Sequence, residues 1–312
     1  MRIVLAPMEG LADVHLRRLI TAQGGFDWVV SEFVRVLDHP YPDKVFYSIC
    51  PELLNGGFTE GGTPLRVQLL GNNLESMAVN AQRAVALGSH GIDINFGCPS
   101  KTVNRHRGGA VLLQEPNTLY EIVRAVRNAL PDSVVVSAKM RLGYDDTVLM
   151  LDNAAALEAG GASEITVHAR TRLQRYMPPA HWDELGRIRS HIKIPLIANG
   201  DIFTVEDYHS CIAEAGTPDV MLGRGAVQLP SLARQIRASN TTDTSWTGMG
   251  MLLHSFWDDV RPTLSTKDAI GRVKQWVNYL RKTYPEAESL WRSIREETDP
   301  HNLNAKLKDL AD

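Results

Sequence analysis

IPLIANGDIFTVEDYHSCIAEAGTPDVMLGRGA, residues 194–226, carries two short apolar runs, 194–198 and 218–222, and each ends in polar residues punctuated by glycine. Asn199, Gly200 and Asp201 follow the first run; Gly223, Arg224, Gly225 and Ala226 follow the second. Short, continuously apolar runs read as strands buried on both faces, as in a parallel sheet. Working outward, six more runs occur at 2–6, 27–31, 65–70, 91–95, 134–140 and 163–168. Helical spacing separates most of them, at 74–87, 148–159 and, most clearly, 117–130. That last stretch opens at Pro116, stops before Pro131 and places Leu119, Ile122, Val123, Val126 and Leu130 on one stripe. Strand and helix alternating up to eight strands predicts an α/β chain with a (β/α)8 TIM barrel.

The chemistry-bearing residues fall where such a barrel builds its site, at the C-terminal ends of the strands. They are Pro7, Met8 and Glu9 after the first run, Gln68 in the third, and Asn95 and Cys98 after the fourth. Lys139 and Arg141 end the fifth, His168 ends the sixth, and the two glycine-rich loops follow the last two. Loops after strands seven and eight are the usual phosphate site of this fold, because glycine lets backbone N–H groups approach and Arg224 adds a forked donor. Lys139 lies between Ala138 and Met140. A lysine in an apolar strand must be paired or functional, either as a Schiff-base amine or as a cation beside a ring that becomes anionic. Gln68 suits the edge of a heterocycle, and His168 a phosphate or a substrate edge. Gly97 and Pro99 bracket Cys98 in an irregular turn that would display a thiol able to give a proton.

The chain has 312 residues, about one barrel of ~250 residues plus a small appendage. Residues 238–248 are polar and aperiodic and read as a linker. We expect a barrel domain over 1–240 and a small helical bundle over 241–312, with helices near 269–282, 286–296 and 301–311. The net charge of -3 excludes a chain-wide polyanion field, so a nucleic-acid site would have to be a patch. One patch is KTVNRHR at 101–107; another is 261–295, where eight Lys/Arg face three acids and Trp276, Tyr279, Tyr284 and Trp291 are interleaved. A solvated helix face with aromatics in its core is the plainer reading of the second. Three cysteines at irregular spacing make neither a disulfide framework nor a zinc site. With no secretory signal and no run long enough to span a membrane, we expect a cytoplasmic protein with no metal.

Ala6-Pro7-Met8-Glu9-Gly10, Gln68-Leu69-Leu70-Gly71, Asn95-Phe96-Gly97-Cys98-Pro99, Lys139-Met140-Arg141, Val167-His168-Ala169-Arg170-Thr171, Asn199-Gly200-Asp201 and Gly223-Arg224-Gly225-Ala226 resemble, in order, the motifs of the tRNA-dihydrouridine synthase family. Ser31-Glu32-Phe33-Val34-Arg35 and Arg272-Val273-Lys274-Gln275-Trp276 resemble its bacterial C type, which acts on uridine 16 of the D-loop. The resemblance implies a tightly bound FMN held by Pro7, Met8, Glu9, Gln68, Lys139, His168, Asn199, Gly200, Asp201, Gly223 and Arg224, with NADPH as reductant. It implies Cys98 as proton donor and tRNA contacts from Arg35, Asn95, Arg141, Arg272, Lys274 and Arg295. It implies an oxidoreductase working on tRNA, expected as a monomer. The chain departs from the family at Ala169, where a glycine is common, and in the basic loop 104–108.

Two other classes stay open on the residues alone. One is a flavin or Schiff-base barrel enzyme acting on a small metabolite, which would have no need of the basic helical part. The other is a non-catalytic RNA-binding protein, which would have no need of Cys98 and Lys139.

Overall fold

The computed structural model describes residues 1–239 and 245–311. The chain runs through β1 (Ile3–Leu5), α1 (Val14–Ala22), β2 (Trp28–Arg35), α2 (Asp43–Ile49), β3 (Leu65–Leu70), α3 (Leu74–Ala86), β4 (Ile92–Phe96), α4 (Lys101–Arg105), α5 (Pro116–Ala129) and β5 (Val136–Arg141). It continues through α6 (Met150–Ala159), β6 (Glu164–His168), α7 (Trp182–His191), β7 (Leu196–Asn199), α8 (Val205–Ala215), β8 (Val220–Leu222), α9 (Arg224–Gln228) and α10 (Leu232–Ala238). Four helices follow: α11 (Trp246–Val260), α12 (Thr266–Leu280), α13 (Glu286–Ile294) and α14 (Pro300–Ala311).

The eight strands pair in parallel, in chain order, and close where Ile3, Val4 and Leu5 of β1 meet Val220, Met221 and Leu222 of β8. All eight expected strands are present. β2 extends four residues past its expected end because a register shift between Val30 and Phe33 bends it along the barrel wall. Ser31 mends the ladder there: its hydroxyl accepts the Gln68 N–H at 3.1 Å and donates to the Glu32 carbonyl at 2.8 Å. α5 forms as its pattern requires, with Pro116 in the first turn and Leu119, Ile122, Val123 and Val126 buried.

Inside the barrel the strands divide. Val4, Ala6, Trp28, Val30, Ile197 and Met221, from β1, β2, β7 and β8 and their ends, make one apolar cluster. From β3 to β6 the alternate buried residues are polar: Arg66, Gln68, Asp93, Asn95, Ser137, Arg141, Glu164, Thr166 and His168. The strands therefore alternate more than the sequence reading allowed.

The C-terminal part is helical, as expected, but it contains one helix that the sequence reading assigned to no element. α11 starts at Trp246, capped by the Ser245 hydroxyl, which accepts the Gly248 N–H at 3.1 Å. The helix buries Met249, Leu253, Phe256, Trp257 and Val260. The expected linker is shortened accordingly: α10 reaches Ala238 and Ser245 is already a cap, while residues 240–244, with the expected domain boundary, lie outside the described residues. The helices lock onto the barrel. Arg18 pairs with Asp259, and Trp276 donates its indole N–H to the Val227 carbonyl at 3.0 Å. Trp276 and Tyr284 are thus core residues, not RNA-stacking surfaces. Among the described residues no helix is long and apolar enough to cross a membrane.

Candidate active site at the strand ends

A cavity of about 650 Å³ opens at the C-terminal ends of the strands. Pro7, Met8, Glu9, Gln68, Asn95, Cys98, Lys139, Arg141, His168, Asn199, Gly200, Asp201, Gly223 and Arg224 all line it. Residues spread over more than two hundred positions meet there because each lies near or just past the C-terminal end of a parallel strand. Glu32, Tyr176 and Gln275 also line it and were not singled out as site residues, and Tyr279, one of the aromatics of the basic stretch 261–295, joins them.

Lys139 reaches the Asn199 side-chain oxygen at 3.2 Å, and Asn199 is held in turn by donating to the Met221 carbonyl at 2.8 Å. Burial, then the neighbouring Arg141, pushes the Lys139 ammonium down to about 8, against support from Asp93. It is still mostly charged at neutral pH. His168 is held well below the usual histidine range by burial and by the cations Arg141, Lys139, Arg170 and Arg224, so it is neutral. Arg170, fully buried, approaches His168 Nε2 at 3.3 Å. An arginine can only donate, so Nε2 is the acceptor nitrogen and Nδ1 carries the hydrogen.

The strand-seven and strand-eight loops meet through Asp201. Its carboxylate takes Arg170 on one oxygen and Arg224 on the other, the latter at 3.2 Å. Gly200 and Asp201 both have positive φ, +124° and +52°, which turns the backbone sharply at the cavity. The Arg224 guanidinium also lies 4.9 Å from the Tyr176 ring centroid and Arg141 lies 5.3 Å from it. Asp201 thereby aims Arg224 at the rim.

Asn95 governs the turn that carries the thiol. Its Oδ1 accepts the N–H groups of Gly97 and Cys98, each at 2.9 Å. Its Nδ2 donates to Gln68 Oε1 at 2.8 Å, and Gln68 Nε2 donates to Asp93 at 2.7 Å. Burial pushes the Cys98 thiol up, with Glu9 adding to the effect, so it is protonated at neutral pH. Cys50 and Cys211 are buried elsewhere and pushed up to about 11 and about 12.

The expected RNA ligands separate. Arg141 is buried and donates to the carbonyls of Gly97, Thr171 and Arg175 at 2.8, 3.1 and 2.9 Å. Arg35 ends β2 half-buried, close enough to Cys98 to favour its thiolate slightly. Arg272 and Lys274 commit their donors inside the protein, in contrast to free phosphate ligands. Arg272 binds Asp13 at 2.7 Å and the Leu11 carbonyl at 2.7 Å, and Lys274 caps the carbonyls of Arg295 and Glu297 at 2.9 and 2.7 Å. The Arg295 side chain is more than half exposed.

The family described as dihydrouridine synthase matches residues 4–309. A tRNA-dihydrouridine(16) synthase of Aquipseudomonas alcaligenes is 47% identical over 311 residues, covering 98% of this chain and 99% of the relative. One of Pseudomonas syringae pv. tomato is 48% identical over 311 residues, 98% of each chain. Among solved structures, histamine dehydrogenase from Rhizobium sp. 4-9 shares the fold at 12% identity, with a TM-score of 0.59 over 82% of this chain and 48% of that one.

Proposed function

From the premise that the chain belongs to the dihydrouridine synthase family, we propose that it reduces uridine 16 in the D-loop of tRNA to 5,6-dihydrouridine, with Cys98 as proton donor. The observation that carries the reading is a protonated thiol at the mouth of a cavity that also holds a half-buried cation, Lys139.

The residues fit FMN. At Gly223 a Cβ would stand 3.7–3.8 Å from Met8 and Ala6, inside the cavity mouth, so its absence leaves the backbone bare beside Arg224. Gly200, Asp201, Gly223 and Arg224 would hold the phosphate. Pro7, Met8, Glu9, Gln68, Lys139, His168 and Asn199 would hold the ring and chain. When bound and recharged by NADPH, FMN supplies the hydride. The protein's own part is position and charge. The target uridine must leave its stack to enter the cavity. Hydride addition at C6 leaves negative charge at C5, and the Cys98 thiol quenches it with its proton. The Lys139 ammonium offers positive charge to an electron-rich ring. Arg35 and Arg295 would contact tRNA at the surface, Asn95 and Arg141 would meet the uridine that enters the cavity they line, and Arg272 and Lys274 would shape the helical part, residues 241–312, that grips the RNA. We place the reaction on a monomer in the cytoplasm.

Single turnover tests this. Cys98→Ala protein, its flavin pre-reduced anaerobically, should bind tRNA and accept NADPH electrons as the wild type does. Reoxidation by unmodified tRNA should slow by about 10²–10⁴-fold, the usual worth of a general acid. Reoxidation at the wild-type rate would remove Cys98 from the mechanism.

A further inference from the structure

Asp93 lies in β4, 1% exposed, facing the barrel interior beneath the cavity. Neither the family motifs quoted above nor the cavity lining includes it. Its two oxygens are both used: Oδ1 accepts the Ser137 hydroxyl and Oδ2 accepts Gln68 Nε2, each at 2.7 Å. Four groups then form one chain: Asp93, Gln68, Asn95 and the paired N–H groups of Gly97 and Cys98. Burial pushes the Asp93 carboxyl up, opposed by the Gln68 and Ser137 hydrogen bonds and by the nearby cations Lys139 and Arg66. As a carboxylate it can only accept, and a backbone N–H, whatever the state of Asp93, can only donate. Between these two ends the two amides have one arrangement without a clash: Gln68 nitrogen toward Asp93, Asn95 nitrogen toward Gln68, Asn95 oxygen toward the turn. Side-chain amides are nearly symmetrical in shape, so packing alone cannot choose their direction; hydrogen-bond partners do.

We infer that Asp93 is a positioning residue for Cys98: through Gln68 it directs the Asn95 amide so that Oδ1 gathers the Gly97 and Cys98 N–H groups and sets the turn that carries the thiol. Asp93 touches neither the thiol nor the cavity. The inference deepens the proposed role of Cys98 and rests on that role for its consequence in turnover, while the chain itself can be tested without it.

The chain has a direction, and the direction can be reversed. In Asn95→Asp, residue 95 still accepts from the turn but has no N–H for Gln68 Oε1. Gln68 would have to flip, which turns Oε1 against the Asp93 carboxylate. In the double variant Asp93→Asn/Asn95→Asp the flipped Gln68 is satisfied at both ends: Asn at 93 donates to Oε1 and accepts from Ser137, and Asp at 95 accepts from Nε2. We therefore expect the thermal midpoint of the holoenzyme to fall in Asn95→Asp, to stay near wild type in Asp93→Asn, and to recover in the double variant. A double variant no more stable than Asn95→Asp alone overturns the inference. A second readout follows the thiol directly. Cys50 and Cys211 are buried, so iodoacetamide on the native protein reports Cys98. Asp93→Leu, which leaves Gln68 Nε2 without its acceptor, should speed alkylation of Cys98 and slow tRNA-driven flavin reoxidation by about 10–100-fold, the scale of a misplaced reacting group. Wild-type alkylation in Asp93→Leu counts against Asp93. Altered alkylation with undiminished reoxidation supports Asp93 and counts instead against Cys98 as proton donor. The swapped pair, nearly isosteric at both sites, decides the matter if Asp93→Leu does not fold.

Discussion

The two halves of the barrel interior are built on opposite rules. Between β7 and β2, passing through β8 and β1, the filling is Val4, Ala6, Trp28, Val30, Ile197 and Met221. Between β3 and β6 it is a stack of buried polar residues that runs from the bottom of the barrel to the cavity. At the bottom Glu164 holds Arg66, whose guanidinium lies 4.0 Å from the centroid of the Trp28 ring, and reaches across to the half-buried Arg2, which Asp219 also holds beneath the apolar half. In the middle sit Gln68, Asp93 and Ser137; at the top sit Asn95, Lys139 and His168. Parallel barrels are ordinarily packed with branched apolar side chains. One half of this one keeps to that and contributes burial. The other half gives up apolar burial, and it is tolerated because its carboxylates and side-chain amides find partners.

The comparison makes three predictions, largest effect first. Ile197→Ala opens a hole in the apolar half away from the cavity lining. It should cost about 2–4 kcal/mol in a denaturant titration, while flavin content and turnover per folded molecule hold. Equal damage to turnover would show that the two halves are not separable.

Lys139→Met probes the other half. Lys139 titrates at about 8 in the fold against an ordinary 10.5, so the fold disfavours its charged form. Below pH 8 that cost is constant. Between pH 8 and 10.5 the unfolded chain binds more protons, so stability rises with pH across that window. The ammonium keeps some surface toward the cavity, which reduces the effect. Lys139→Met should make the flavin-free protein about 1–3 kcal/mol more stable at neutral pH, abolish this rise with pH and lose turnover. A less stable variant would mean that Asp93 and Asn199 outweigh the burial of the charge.

Arg272→Ala is the mildest. Arg272 ties α12 to Asp13 and the opening loop with little of its surface free. Its removal should lower the thermal midpoint by a few degrees and leave the salt dependence of tRNA binding nearly unchanged, since a lost phosphate contact would reduce that slope by about one. A slope reduced by one at unchanged stability would return Arg272 to the RNA surface.

The barrel and its rim were legible in the sequence because both are periodic. Strands repeat, glycine interrupts them, and every polar strand end in a parallel barrel points to one face. Cys98, Lys139 and His168 stood out as polar residues at apolar strand ends. Asp93, level with Gln68 and alternating with Asn95 in the same strand, did not, because its role is defined only by its partners on the neighbouring strands, Gln68 and Ser137. α11 was hidden by its neighbour: a Ser/Thr-rich stretch runs into Ser245, and only the cap geometry shows that the helix starts there.

Two residue groups mark the boundary between what local pattern determines and what it cannot. Residue order and spacing determined the eight strands, the glycine loops after β7 and β8, and the thiol between Gly97 and Pro99, because each depends on backbone constraints within a few positions. Tertiary structure alone decided what the long polar side chains do. Arg272 meets Asp13, Trp276 meets the Val227 carbonyl, and Arg18 meets Asp259, partners separated by 259, 49 and 241 positions. A guanidinium on a basic, aromatic-rich helix has the same local sequence whether it faces a phosphate or a carboxylate of its own chain. The direction of the Gln68 and Asn95 amides is likewise set only where Asp93 and the Cys98 turn close in from opposite ends, since a hydrogen bond is fixed by the partner that arrives and not by the residue that waits for it.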